Sequence, residues 1–238
     1  MALAGLKEII SDIIFPKHCL GCQQEGSYLC NQCVQKIPLN YKFSCPFCGQ
    51  PSFFGKPCFK CARRSNLESV MVASSYDCEI IKKSVKAFKY QFVEELAMPL
   101  GNILIFYLNL LNKKLPVRLN FDYLMAVPLH YKRFLYRGFN QAELLAEVTS
   151  LQFGWPILKK TLIKKKFTRP QAELTQLERK DNIKGVFSLK EESRQLIINK
   201  KILLIDDILT TGATLNECAR VLKEAGAREV SALVLAKG

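Results

Sequence analysis

Apolar residues recur along this chain of 238 residues at two different periods. Runs such as Leu124-Met125-Ala126-Val127 and Ile202-Leu203-Leu204-Ile205 have the length of buried strands, while other segments repeat every three or four residues, as one face of a helix does. The pattern predicts strands over 70–76, 123–127, 157–162, 186–189, 202–205 and 230–235. It predicts helices over 80–90, 94–111, 141–151 and 214–225, with Gly226 as the left-handed stop of the last. Strands and helices alternate, so the expected fold is α/β: a mostly parallel sheet flanked by helices, with ligands beyond the carboxyl ends of the strands. At the front, Leu3, Leu6, Ile10, Ile13 and Ile14 fit a short amphipathic helix ending near Pro16. Glu8 and Asp12 interrupt the apolar run that a secretory signal needs.

The first quarter of the chain follows neither period, and its chemistry explains why. Eight of the ten cysteines form four CxxC pairs, Cys19/Cys22, Cys30/Cys33, Cys45/Cys48 and Cys58/Cys61. This is a metal-ligand spacing, and two successive sets of four thiolates predict two closed tetrahedral zinc sites. With no open coordination position for a substrate, these sites are expected to be structural, replacing the apolar core that so short a segment cannot build. Cys78 and Cys218 fall outside the pattern and read as core thiols. Composition changes across Ala62 to Asn66, which divides the chain into 1–64, the helix and double zinc ribbon, and 65–238, the α/β domain. The longest apolar stretch, Met98 to Leu111, carries Asn102 and Asn109 and falls short of the ~20 residues that span a bilayer. No membrane insertion is expected, and the protein is expected in the cytoplasm.

Thirty-five basic against 21 acidic residues leave a formal charge of +14, which makes phosphates, nucleic acid or an anionic membrane surface plausible partners without choosing among them. The choice comes from residues 202–214. There a buried strand ends in Asp206 and Asp207, a hydroxyl-rich turn follows from Thr210 to Thr214, and a helix begins. Adjacent carboxylates are costly to bury unless hydroxyl donors or a cation meet them. The turn at a helix amino terminus offers N–H groups and the positive dipole end to a phosphate. Neither GxxxxGK[ST] nor GxGxxG occurs. Residues 202–214 resemble the signature of type I phosphoribosyltransferases throughout: four apolar residues, two acids, two spacers, then Thr-Thr-Gly and a hydroxyl residue. The resemblance implies that Asp206 and Asp207 hold the ribose hydroxyls of phosphoribosyl pyrophosphate (PRPP). It implies further that Thr210, Thr211, Gly212, Ala213 and Thr214 cradle the 5-phosphate, with magnesium accompanying the pyrophosphate.

Two basic stretches complete the picture. Residues 127–141, from Pro128 and His130 through Arg137, Gly138 and Asn140, lie where a pyrophosphate-binding loop belongs. Arg137 supplies a planar fork for the anion, and Pro128 and His130 are counted with it as ligand contacts. Residues 159–190 are strongly basic, and Pro170 breaks them; they read as a lid carrying Arg169, Gln171 and Arg179. Arg169 joins Asp206, Asp207 and Arg137 as a catalytic candidate. The same surface, with Tyr131, Phe134, Tyr136, Phe139 and Phe167, could instead stack the bases of single-stranded DNA.

The tandem CxxC pairs, VPLHxxRxxxRGFNQAELLA, TRPQAELTQLERxxNIKGVF and the 202–214 run together are similar to the ComF family of competence proteins over nearly the whole chain. That resemblance implies a role in natural transformation, on a phosphoribosyltransferase-like domain with an amino-terminal double zinc ribbon. Three readings stand side by side: a pentosyl transferase with an unnamed acceptor, a non-catalytic single-stranded DNA-binding accessory, and a zinc ribbon that docks other competence or DNA-processing proteins.

Overall fold

The computed structural model describes residues 16–116, 118–166 and 183–238. The first part is two copies of one small device. In each, an antiparallel bridge (His18 to Glu25, then Ser44 to Pro51) closes a CxxC turn. In each, the second CxxC pair also starts a short helix, α1 (Asn31–Gln35) after Cys30 and α2 (Phe59–Ala62) after Cys58. The expected amino-terminal helix lies outside the described residues.

Beyond Asn66 come β1 (Ser69–Ser75), α3 (Glu79–Tyr90), α4 (Ala97–Lys114), β2 (Tyr123–Ala126), α5 (Tyr131–Arg137) and α6 (Gln141–Phe153). They are followed by β3 (Leu162–Lys164), β4 (Phe187–Leu189), α7 (Arg194–Ile197), β5 (Lys201–Leu209), α8 (Ala213–Glu224) and β6 (Glu229–Lys237). The main sheet has the order β1-β6-β5-β2, and all three of its ladders are parallel. Its central strands are buried on both faces, which is why they read as unbroken apolar runs. Leu203, Ile205, Leu233 and Leu235 face α3, α4 and α6, while Ile202, Leu204, Val230, Ala232 and Val234 face α8 and the β3–β4 ribbon. Helices α4 and α6 meet at Gly101, where an added Cβ would come within 2.5 Å of Val148.

Buried residues of the first cysteine set belong to the larger of these cores. Cys19, Leu29, Cys33, Val34 and Ile37 share one hydrophobic cluster with Phe88, Leu100 and Ile103. The second set lies against β1, where Gly55 approaches the Val70 carbonyl so closely that a Cβ would lie 2.1 Å from its oxygen.

Three sequence expectations need correction. The strand expected over 157–162 is a single parallel bridge from Ile157 to Leu124. Lys160 then turns the chain with a positive φ of 55°, and the strand that follows pairs antiparallel with β4. The loop expected after Val127 contains the two-turn helix α5, capped by His130 and ended by Gly138 at a φ of 86°. Finally, β5 does not end at Ile205 but continues to Leu209, with Asp206 opposite Val234 and Ile208 opposite Ala236. The acidic pair is therefore inside the strand.

Candidate functional site

The cysteine sets form as their spacing required. In each, the four sulfurs lie within 4.8 Å of one another. Cys19 to Cys30 is 3.7 Å, Cys22 to Cys30 is 3.8 Å and Cys48 to Cys58 is 3.6 Å. A tetrahedron with zinc–sulfur bonds of about 2.3 Å has sulfurs about 3.8 Å apart, so the donor set fits zinc. Electrostatics agree. Burial raises the Cys45 thiol, but backbone N–H groups of Cys58, Cys48 and Phe47 outweigh it and hold the group at about 6. Burial and the neighbouring thiols push Cys33 and Cys61 up to about 12. Four thiols crowded in this way ionise together only when a cation joins them.

The extension of β5 past Ile205 has a consequence for the acids, because successive side chains on a strand point to opposite faces. Asp207 turns toward α3 and is 2% exposed. Its Oδ1 accepts a 2.8 Å ion-pair contact from Lys89 Nζ and the backbone N–H of Ile208 at 2.6 Å. Its Oδ2 is buried without a hydrogen-bond partner among the described residues. Burial alone would lower the Lys89 ammonium; the adjacent Asp207 charge holds it above its ordinary value. Arg137, at the end of α5, shares this side of the sheet. Burial lowers its guanidinium while Asp207 opposes that shift. Its Nη1 donates to Gln141, and its Nε is buried and unpartnered among the described residues.

Asp206 faces the other way, toward Cys218 on α8 and Lys164 on β3. Desolvation, then the charge of Asp207, raises its carboxyl to about 7. Lys164 is lowered to about 8 by burial and by Arg133. Asp206 shares a pocket of about 30 Å³ with Thr210, Gly212 and Thr214. Gly212, at a φ of 76°, caps α8, Thr211 Oγ1 accepts the Ala213 N–H at 3.4 Å, and Ala213 packs against the core on the α8 side. A helix of this length presents N–H groups without intrahelical partners at its first turn.

The remaining expected residues divide. Asn140 ties the segment after α5 back to β2, its Nδ2 donating to the Val127 carbonyl at 3.1 Å. His130 is buried, and its Nδ1 accepts the Lys132 N–H at 3.3 Å as the cap of α5. Burial and the charges of Lys164, Lys132 and Arg133 lower its pKa. Pro128 lines a separate 370 Å³ cleft with Tyr131, Asn140 and Lys164. Phe139 is not a surface aromatic: it is buried and stacked on Phe88 at 5.4 Å. Cys218 is a fully buried core thiol, and Cys78 is half-buried at the start of α3. Arg169, Gln171, Arg179 and Phe167 lie outside the described residues. Sequence reasoning missed Lys89, which reads there as one more lysine of the basic face of α3, with Lys82, Lys83 and Lys86.

Two family models match the chain: "Double zinc ribbon domain" over residues 10–62 and "Phosphoribosyl transferase domain" over residues 140–238. "Competence protein F" of Haemophilus influenzae is 28% identical over 214 residues, covering 88% of this chain and 90% of its own. "DNA utilization protein YhgH" of Escherichia coli is 27% identical over 213 residues, covering 88% of this chain and 90% of its own. "Competence protein ComFC" of Streptococcus pneumoniae is 36% identical over 113 residues, 48% of this chain and 47% of its own. Among the described residues, no helix is long and apolar enough to cross a membrane. With two four-cysteine sites in front of a parallel sheet that carries the acidic strand and the threonine turn, the chain joins a double zinc ribbon domain to a phosphoribosyl transferase domain and is similar over most of its length to the competence and DNA utilization proteins named above.

Proposed function

We propose that the chain binds PRPP with magnesium around the carboxyl end of β5 and uses that site in the cytoplasm in the uptake and handling of DNA. The observation that carries this reading is the pocket in which Asp206, Thr210, Gly212 and Thr214 converge at the start of α8. A phosphate at the helix terminus and sugar hydroxyls on the carboxylate would be recognised by neighbouring groups. The relatives named as competence and DNA utilization proteins support the biological setting.

The residues also fit the cation. The unpartnered buried Oδ2 of Asp207 is a hard oxygen of the kind magnesium takes, and bound magnesium would neutralise pyrophosphate charge. Arg137, with its unpartnered Nε, would hold the pyrophosphate from the α5 side. Asp206 would orient the ribose, and the cleft beside Pro128 and Lys164 would receive an acceptor. Pentosyl transfer there would draw mainly on positioning and fixed charge. Calorimetric titration with PRPP, with and without magnesium, tests the reading. Magnesium-dependent binding that Asp206→Asn weakens is expected, and a wild-type protein that releases no heat with PRPP overturns it.

A second reading has its own observation. Helix α5 buries none of its residues and exposes Tyr131, Phe134, Leu135 and Tyr136 among Lys132, Arg133 and Arg137. Aromatic faces interleaved with fixed cations suit stacked bases and a phosphate backbone. Binding of a single-stranded oligomer that weakens with salt and with Tyr136→Ala is expected; salt-independent binding, or none, removes this reading.

A further inference from the structure

The phosphate-binding turn does not stand alone, because the second cysteine set grips it from two sides. On one side the turn Cys45-Pro46-Phe47-Cys48 presses the Phe47 ring onto Gly212, where an added Cβ would lie 3.2 Å from Phe47 Cε1. Phe47 also packs on the core beside Ala213 and lines one cavity with Thr211 and Ala213. On the other side, the chain leaving Cys61 is fastened to the first turn of α8. Asn216 Oδ1 accepts the Asn66 N–H at 2.8 Å, and its Nδ2 donates to the Arg64 carbonyl at 3.1 Å. Both attachments lead straight to cysteines of the second set. Phe47 lies within the CxxC turn between Cys45 and Cys48, where its backbone N–H helps lower the Cys45 thiol, and the Arg64 N–H donates to the carbonyl of Cys61 at 3.0 Å.

We propose that Phe47 and Asn216 are positioning residues that couple the second cysteine set to the Thr210–Thr214 turn, so that a metal ion in that set holds the turn in its ligand-binding conformation. The physical reason is local. Gly212 is held at a φ of 76°, a conformation for which glycine has no intrinsic preference over its mirror image. The turn needs an external wall to stay in one basin, and the Phe47 ring is that wall. The ring's place is fixed in turn by a CxxC loop that has almost no core of its own and depends on its metal. Gly21, in the CxxC turn of the first cysteine set, lies against Cys33 of its own set, with Ile80 of α3 next, 3.4 Å from an added Cβ.

The coupling deepens the PRPP reading and rests on it for the identity of the ligand, but its test does not depend on that ligand. In full-length, metal-loaded protein, Phe47→Ala and Asn216→Ala are compared with wild type and with the space-filling Phe47→Leu. Metal content is measured on each sample. The direct readout is amide hydrogen exchange of residues 210–216, expected about tenfold faster in both alanine variants and near wild type in Phe47→Leu. The second readout is PRPP affinity with magnesium, expected about tenfold weaker in the alanine variants. Unchanged exchange in metal-loaded Phe47→Ala and Asn216→Ala overturns the coupling. Should Phe47→Ala lose its metal, Asn216→Ala decides, because it leaves the cysteine segment unaltered. A wild type that fails to bind PRPP overturns the proposed ligand, while the exchange result still judges the coupling.

Discussion

Replacing Lys89 by methionine keeps the length of the side chain and removes its charge. In the native protein the Nζ lies 2.8 Å from Asp207 Oδ1, and the two side chains are 20% and 4% exposed. Removing one partner of a buried pair leaves the other charge uncompensated, at a cost of about 3–5 kcal/mol. The residual exposure of Lys89 argues for the lower end, about 3 kcal/mol. In a domain of this size that lowers the melting midpoint by about 6–12 °C. The pH dependence has a definite sign. Lys89 is held above its ordinary value of 10.5, so the pair is complete at pH 8 and its contribution is lost only above that value. Asp206 is raised to about 7 from 3.8. On its account stability is full below pH 3.8 and falls as the pH rises through 7. Lys89 partly offsets that fall, because its charge lowers the Asp206 carboxyl. The Lys89→Met deficit should therefore be largest at pH 8, where the Asp206 carboxyl is charged, and smaller at pH 5.5. Scanning calorimetry of wild type, Lys89→Met, Asp207→Asn and the double variant at both pH values is the assay. Asp207→Asn should recover at least about 1 kcal/mol of the Lys89→Met loss. A Lys89→Met protein melting within about 2 °C of wild type at pH 8, or single effects that simply add, would refute the reasoning.

Other outcomes follow from the same geometry. Elemental analysis should find two zinc ions per chain. Their removal by a chelator should lower the melting of the whole protein, because Cys19, Cys33 and Val34 share a core with Phe88 and Leu100; metal-free protein with unchanged melting contradicts this. Gly212→Ala forces a φ of 76° on a residue with a Cβ, costing about 1–2 kcal/mol. It also pushes against Phe47, so its loss of PRPP affinity by calorimetry should exceed that of Phe47→Leu. Affinity for PRPP with magnesium should rise with pH through about 7 as the Asp206 carboxyl ionises. A flat profile from pH 5.5 to 8.5 would assign the binding to other groups.

The residues that the sequence left unread show what kind of information it lacks. Lys89 follows Phe88 on α3, and only the crossing of α3 over β5 makes it a partner of Asp207 rather than a solvated lysine. The division of labour between Asp206 and Asp207 was equally hidden. As adjacent letters they read as one pair, but strand pairing continues beyond Ile205 and the pleat separates them onto opposite faces. The sequence singled out Arg137 as a candidate anion ligand but did not disclose the helical form of its segment, because the α5 residues bury nothing and give no apolar period.

Local chemistry needs only short-range spacing, and that is why the chain alone determined so much. CxxC intervals specify tetrahedral thiolate sites, buried runs specify parallel strands, and residues 202–214 specify a strand, a threonine turn and a helix in succession. Tertiary structure decided which distant groups meet: Lys89 with Asp207, Asn66 with Asn216, and Phe47 with Gly212. Those contacts depend on how the sheet, the helices and the zinc ribbons pack, and packing is a property of the whole core that no single segment carries.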